Sequence, residues 1–495
     1  MSLANKAARG ALWTVISSMG GRAVGVLGTL VMTRFLAPEQ IGEVSDATIL
    51  CMTANWLTIW GFGQYVVVKG RGNSAVAREV TWHATLFYVV LGVLSLGAVA
   101  LLGGRLTPLL DAPHAAIYVP GMALAIFIRR LGAMPERILV RDMKFRASGL
   151  SLALGELVYT ITALLLAWRG HGGMSIVIAN IVQSIVVVAI LVRAAGLKSW
   201  ATPAKFSLAR AVDMLRFGVP LGVQGIAHQA SRYWDNLAIS HFFGTGAVGA
   251  YNMAYNLADI PAIQVGEQIA LVLMPSMASL PAERRPRALE RSTALLSIVI
   301  FPLAVGLGLV AYPLVSLLLP NNGWQEVAPL LTVLACLSIF RPVTWVMSAY
   351  LEAECKTNRL MVLEVAKVIL LLAGIALLRP YGLRAAAGAV GIAFGVTAIA
   401  GIAIVAREGA SPYRLFLGFA QPLVACIVMA AAVWVTWLVL SLSGVTHPAV
   451  VLVAEILVGA LAYVAAALVV CRATARDLIG LLKTSLRRPA RSAAS

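Results

Sequence analysis

Two apolar stretches of this chain carry residues that do not belong in lipid, and their spacing places them together. The stretch from Phe217 to Phe243 holds Gln224, His228, Ser231, Arg232 and Asp235. At 3.6 residues per turn these fall within about 100° of one another, a polar stripe on an otherwise greasy helix. After the turn Gly244-Thr245-Gly246, a second stretch carries Asn252, Asn256 and Asp259 at i, i+4 and i+7, then meets Pro261. Ionisable side chains at membrane depth are costly and normally face a bundle interior or a watery cavity. Two such stripes on consecutive helices predict a cavity lining. Arg22, Asp46 and Arg341 stand inside other apolar stretches and complete the candidate set.

The elements that must position these residues are membrane helices. The chain is 60% hydrophobic and only 12% charged, with a mean hydropathy of +0.87, far from the soluble average. Runs of about 20 apolar residues mark spanning helices, and fourteen occur between 11–34 and 447–471. Those at 42–67, 115–134, 293–319 and 326–350 are each expected as one continuous span. No hydrophilic stretch is long enough for a soluble domain. The expectation is an all-α polytopic membrane protein.

The net charge of +18 is a topology signal rather than a nucleic-acid footprint. With the N-terminus cytoplasmic, thirty of the 39 Lys and Arg fall on the inside and five outside: Arg34, Arg105, Arg169, Arg379 and Arg384. Arg22, Arg232, Arg341 and Lys367 lie within spans. The positive-inside rule demands such a split, so both termini are expected to be cytoplasmic, with anionic lipids as neighbours. Lys6 and Arg9 precede an apolar run that is longer than a signal core and has no small-residue cleavage site. It reads as an uncleaved first helix. Five scattered cysteines show neither metal spacing nor a pairing pattern. No phosphate-binding loop or nucleophile elbow appears, so neither ATP-driven transport nor catalysis by this chain is expected.

An internal repeat organises the spans. Thr33 to Gly42 lies over Ser240 to Gly249 at a constant offset of 207, each following a long helix, making a short turn and entering the next. Both copies enter from the same side, so the repeat is parallel, with a pseudo-two-fold axis along the membrane normal. The expected division is a six-helix lobe at 1–193, a basic linker at 194–216 and a second six-helix lobe at 217–406. Two further helices follow at 407–471, with a basic tail at 472–495.

Short motifs give this organisation a family likeness. They are the Met1-Ser2-Leu3 start running into Gly10-Ala11-Leu12-Trp13, then Met143-Lys144-Phe145 and Leu215-Arg216-Phe217-Gly218. Gly249-Ala250-Tyr251-Asn252-Met253-Ala254-Tyr255-Asn256 and Met274-Pro275-Ser276-Met277-Ala278 complete the set. Taken in order, they resemble the oligosaccharide flippases of the polysaccharide transporter family, the colanic-acid-exporter type above all. That family sits in the superfamily of multidrug, oligosaccharidyl-lipid and polysaccharide exporters. The resemblance implies fourteen helices in two lobes, alternating access in a bacterial inner membrane, and a polyprenyl-diphosphate-linked oligosaccharide as cargo. It implies no cofactor and no metal. A monomer is expected, with a polysaccharide polymerase and a chain-length regulator as further candidate partners.

The buried residues suit such a cargo. Guanidinium forks match phosphate geometry, so Arg22, Arg232 and Arg341 are the candidate diphosphate donors. Amides and aromatic faces suit sugars, and Asn55, Trp56, Trp60, Gln224, Tyr233, Trp234, Asn252, Asn256 and Trp345 supply them. Asp46, Asp235 and Asp259 would keep the anion from being trapped or carry a coupled proton. His228 is a candidate proton carrier because a histidine pKa can sit near physiological pH, with a packed, hydrogen-bonded histidine as its structural alternative. Structural alternatives stand beside each role. Arg232 and Asp235 form a self-neutralising pair, Arg22 pairs with an acid such as Asp46, and Arg341, before Pro342, satisfies carbonyls freed by a kink. Glu364 and Lys367 pair or snorkel. The alternative function is a cation-coupled drug antiporter of the same superfamily, which should prefer an acidic cavity to one with three deep arginines.

Overall fold

The computed structural model describes residues 25, 27–69, 74–142, 145–261, 277, 280–320, 323–354, 356–445 and 447–486. Among these the chain forms helices, turns and no strand. Nine helical segments among the described residues are long and apolar enough to cross a membrane. By its internal contacts the chain divides into two compact units, Met1–Asn252 and Met253–Ser495.

The first unit contains α1 (Pro38–Trp56), α2 (Phe62–Lys69), α3 (Ser74–Leu106), α4 (Val119–Leu131), α5 (Ala133–Arg141), α6 (Phe145–Trp168), α7 (Met174–Ala195) and α8 (Leu208–Phe243). It also holds α9 (Thr245–Pro261) as far as Asn252. One core packs Val44, Ala47 and Cys51 of α1 against Val119 and Met122 of α4 and Val177 of α7. A second joins Phe62 and Tyr65 of α2 to Tyr88, Met134 and Met214. The unit reaches past the basic 194–216 segment because α8 packs on α1 and α2.

Two of the expected continuous spans are broken here. The 42–67 run ends its first helix at Trp56 and restarts at Phe62, with Trp60 at φ 35° and Gly61 at φ 66°. A non-glycine residue in the left-handed region is uncommon. The turn is accommodated by Gly218 and Gly222 of α8. A Cβ on Gly218 would lie 2.0 Å from the Trp60 carbonyl oxygen, and one on Gly222 would lie 2.9 Å from its Cα. The 115–134 run breaks at Gly132, between α4 and α5.

Arg130 explains how the first break is held. Charge counting groups it with the cytoplasmic basic residues at the end of the 115–134 run, yet it is 5% exposed. Its Nε donates to the Tyr88 carbonyl at 2.6 Å, and Nη2 donates to the Thr58 carbonyl at 3.0 Å. Nη1 donates to Asn55 Oδ1 at 2.7 Å and Thr58 Oγ1 at 2.8 Å. A guanidinium thus satisfies backbone acceptors that the end of α1 leaves open. Arg130→Met should lower the thermal midpoint of the detergent-purified protein by about 5 °C or more, since charged hydrogen bonds are worth roughly 1.5–3 kcal/mol each. An unchanged midpoint contradicts this bracing role.

The second unit continues from α9 with α10 (Arg285–Leu309), α11 (Ala311–Leu318), α12 (Val327–Leu337), α13 (Arg341–Ala353) and α14 (Thr357–Leu378). α15 (Leu383–Ala406), α16 (Pro412–Leu442), α17 (Pro448–Val470) and α18 (Arg472–Leu486) complete it. The 293–319 and 326–350 runs are also broken. The first divides at Val310, with Pro313 in the opening turn of the next helix, and the second divides at a 3-10 turn over Ser338–Phe340. Phe301 and Phe340 both pack on the Phe419 ring, with centroids 4.9 and 5.6 Å away, tying α10 and the second break to α16. In the opening turns of α10, Arg291 grips Asp477 of α18 with both Nε and Nη2 at 2.5 Å. This hydrogen-bonded guanidinium holds the Asp477 carboxyl below the usual carboxylate range. Glu354 is likewise held down, first by its hydrogen bond from Arg285 at 2.8 Å.

Candidate functional site

In the first unit Trp234, Asp235 and Ser240 of α8 bond to α1 and to the start of α9. Asp235 is fully buried. One carboxylate oxygen accepts from the Tyr251 hydroxyl at 2.7 Å, and the other accepts from the Asn236 backbone N–H at 2.9 Å. Asp46, also fully buried, accepts from the Ser240 hydroxyl through Oδ2. Its Oδ1 has no hydrogen-bond partner among the described residues. Asn252 donates to the Ser45 hydroxyl at 2.6 Å, and the Trp234 indole donates to Thr53 Oγ1 at 3.2 Å. The Arg232 guanidinium sits 6.0 Å from the Tyr233 ring, and Tyr233 in turn lies 5.2 Å from Trp56. Arg22 lies outside the described residues, as do the side chains of Gln224 and His228.

The sequence repeat is visible in this cluster. α1 begins at Pro38 and α9 at Thr245, which is the repeat offset. A Cβ on Gly42 would lie 1.9 Å from the Thr245 carbonyl oxygen, and one on Gly249 would lie 1.9 Å from the Pro38 carbonyl oxygen. Each helix therefore lays its glycine against the first residue of the other. Ser45 and Asn252, which also bond to each other, are separated by the same 207 positions. Reciprocal contact between equivalent residues is what a two-fold axis produces where it passes through an interface, and glycine at both positions permits the close approach.

In the second unit Arg341 and Asp259 form a buried ion pair, 8% and 6% exposed. Arg341 Nη2 also donates to the Tyr255 hydroxyl at 3.0 Å, and its guanidinium lies 5.2 Å from the Tyr255 ring and 5.3 Å from that of Phe394. The pairing partner is thus a carboxylate on α9, while Pro342 follows the 3-10 break in the chain. Asn256 is exposed one turn before Asp259. Lys367 is 5% exposed and pairs with Glu364 at 2.8 Å over the Phe394 ring, so it does not snorkel.

Several bonded partners escape a reading based on charge alone. Ser45, Ser240, Tyr251 and Tyr255 are uncharged, and Arg130 sits where charge counting places a loop. The motif Tyr251-Asn252-Met253-Ala254-Tyr255-Asn256 carries the available signal. Its two tyrosines bond Asp235 and Arg341, and its first asparagine bonds Ser45. The motif is therefore a set of hydrogen-bonding positions that makes buried charge tolerable.

Long apolar helices with small-residue contacts and paired charges at their breaks define an all-α, multi-pass membrane protein. The chain belongs to the family described as polysaccharide biosynthesis protein, whose family model matches residues 31–329, and this bears out the resemblance to polysaccharide transporters. It is 24% identical over 402 residues to the lipopolysaccharide biosynthesis protein WzxC of Escherichia coli K12, covering 80% of this chain and 78% of that one. It is 28% identical over 328 residues to the succinoglycan biosynthesis transport protein ExoT of Rhizobium meliloti 1021, covering 65% and 64%. Among solved structures it is similar to the lipid II flippase MurJ in an inward closed conformation. The TM-score there is 0.76 at 14% identity, covering 94% of this chain and all of that one. A multidrug resistance transporter of the MATE family, itself of the MOP superfamily and inward-facing, matches with a TM-score of 0.66 at 16% identity, covering 79% and 98%.

Proposed function

We propose that this protein is a flippase, not an enzyme, that moves a polyprenyl-diphosphate-linked oligosaccharide repeat unit from the cytoplasmic to the outer leaflet of a bacterial inner membrane. The observation that carries this reading is the buried Arg341, held ready on a broken helix by Asp259 and Tyr255. A guanidinium whose paired carboxylate can be exchanged for a diphosphate is a reversible anion site. Arg22 and Arg232 would add donors, and Gln224, Asn252 and Asn256 would meet the sugars. Membership of a polysaccharide biosynthesis family and likeness to a succinoglycan transport protein support a glycan cargo.

Movement would follow alternating access between two halves, 1–193 and 217–406, joined by the basic 194–216 linker. The reciprocal glycine contact of α1 and α9 supports a closed gate on one side of that motion. Asp46, with one carboxyl oxygen unpartnered among the described residues, would carry the coupled proton as the gate opens, with Asp235 and His228 as further candidate carriers. Both termini would be cytoplasmic. Deleting the gene should abolish surface polysaccharide and cause lipid-linked repeat units to accumulate in the inner membrane, with both effects reversed by the intact gene. Normal surface polysaccharide together with heightened sensitivity to cationic drugs would instead identify an antiporter.

A further inference from the structure

A cavity of about 740 Å³ opens in the second unit among α10, α11, α16 and α17, away from every residue assigned to transport above. Its rim is aromatic: Tyr312, Trp434 and Trp437 line it and leave half or more of their surface exposed. In a membrane protein that surface faces lipid. Val445 and Pro448, at the α16–α17 connection, also line the cavity. It therefore lies toward the ends of these helices, at the depth where Trp and Tyr belts meet headgroups.

The polar lining offers acceptors. Glu455 is 3% exposed, and its Oε2 has no hydrogen-bond partner among the described residues. Ser316 and Ser441 donate their hydroxyl protons to the Pro313 and Leu438 carbonyls at 3.0 and 2.8 Å, leaving lone pairs for an occupant. Among the described residues the lining contains no Lys, Arg or His. A carboxyl group, two hydroxyl oxygens and three electron-rich rings form a receptor for a cation and are hostile to phosphate alone. Three acceptors match the three N–H donors of a primary ammonium, and an aromatic rim open to lipid suits a ligand whose tails stay in the bilayer. The geometry points to a binding site for the primary ammonium of a zwitterionic phospholipid, with Glu455 as its counter-ion.

The test uses the full-length protein released from nanodiscs containing equal phosphatidylethanolamine and phosphatidylglycerol, with retained lipids counted by native mass spectrometry. The wild type should keep one phosphatidylethanolamine about tenfold in preference to phosphatidylglycerol. Replacing it with phosphatidylcholine, which lacks N–H donors, should weaken retention. Glu455→Gln, nearly equal in shape, should lose the preference without lowering the thermal midpoint in detergent. Trp437→Leu should weaken it independently, which keeps the test alive if the Gln variant does not fold. Equal retention of both lipids by the wild type, or an undiminished preference in either folded variant, overturns the proposal. Displacement of the lipid by millimolar ethanolamine as effectively as by added phosphatidylethanolamine would also overturn it, assigning the site to free amines instead.

Discussion

Arg341→Gln should reduce both the amount of protein in the membrane and the export of surface polysaccharide, and the two losses should separate when Asp259 is changed as well. In the single variant Asp259 loses its salt-bridge partner, a species that costs about 3–5 kcal/mol when buried, so insertion falls. The double variant Arg341→Gln with Asp259→Asn removes both charges and should restore normal protein levels. If Arg341 contacts the diphosphate, export per inserted molecule should remain about a hundredfold or more below wild type, because the fork that matches phosphate is gone. Arg341→Lys keeps the positive charge beside Asp259 and should retain partial export. Full export by the double variant would reduce the pair to a structural role.

The second large effect is expected where α1 meets α9. Ser45 Oγ and Asn252 Nδ2 lie 2.6 Å apart, close enough for a disulfide to be tested at those positions. In a background stripped of other reactive thiols, Ser45→Cys with Asn252→Cys should cross-link on oxidation. Export should then drop to background and recover on reduction, because the proposed alternating access would open this contact once per cycle. Gly249→Val should act in the opposite sense. Its Cβ would lie 1.9 Å from the Pro38 carbonyl oxygen, so the contact could not close, and export should again fall at least about tenfold. Undiminished export with the cross-link in place would remove this contact from the transport cycle.

Much of this arrangement is legible before any coordinates exist, for a physical reason. Lipid leaves few ways to place charge, so Asp46, Asp235, Asp259 and Arg341 stand out against apolar runs, and all four prove buried and bonded. The 207-residue offset likewise anticipates that α1 and α9 start at equivalent positions. What hydropathy averages away is discontinuity. A window of about 20 residues sees Trp56 to Phe62 as uninterrupted grease, whereas the break depends on the left-handed Trp60 and Gly61 and on two glycines more than 150 positions later. Arg130 is misplaced for the same reason: charge counting places it near a helix end, while its acceptors lie on α1 and α3 and in the turn after α1. Partner choice is the other hidden quantity. The Tyr251 hydroxyl that bonds Asp235 comes from the next helix, where spacing along α8 gives no sign of it.

The central claim is that this chain carries a lipid-linked glycan across a bilayer. The most direct measurement uses proteoliposomes holding the purified protein and a polyprenyl-diphosphate oligosaccharide with a labelled sugar, placed in one leaflet. Exposure of the label to a membrane-impermeant glycan-modifying enzyme in the other compartment is then followed over time. The account predicts transfer that requires the protein, collapses with Arg341→Gln/Asp259→Asn, and stops when the 45–252 cross-link is closed. Transfer at the protein-free rate, or transfer unaffected by both changes, would contradict it.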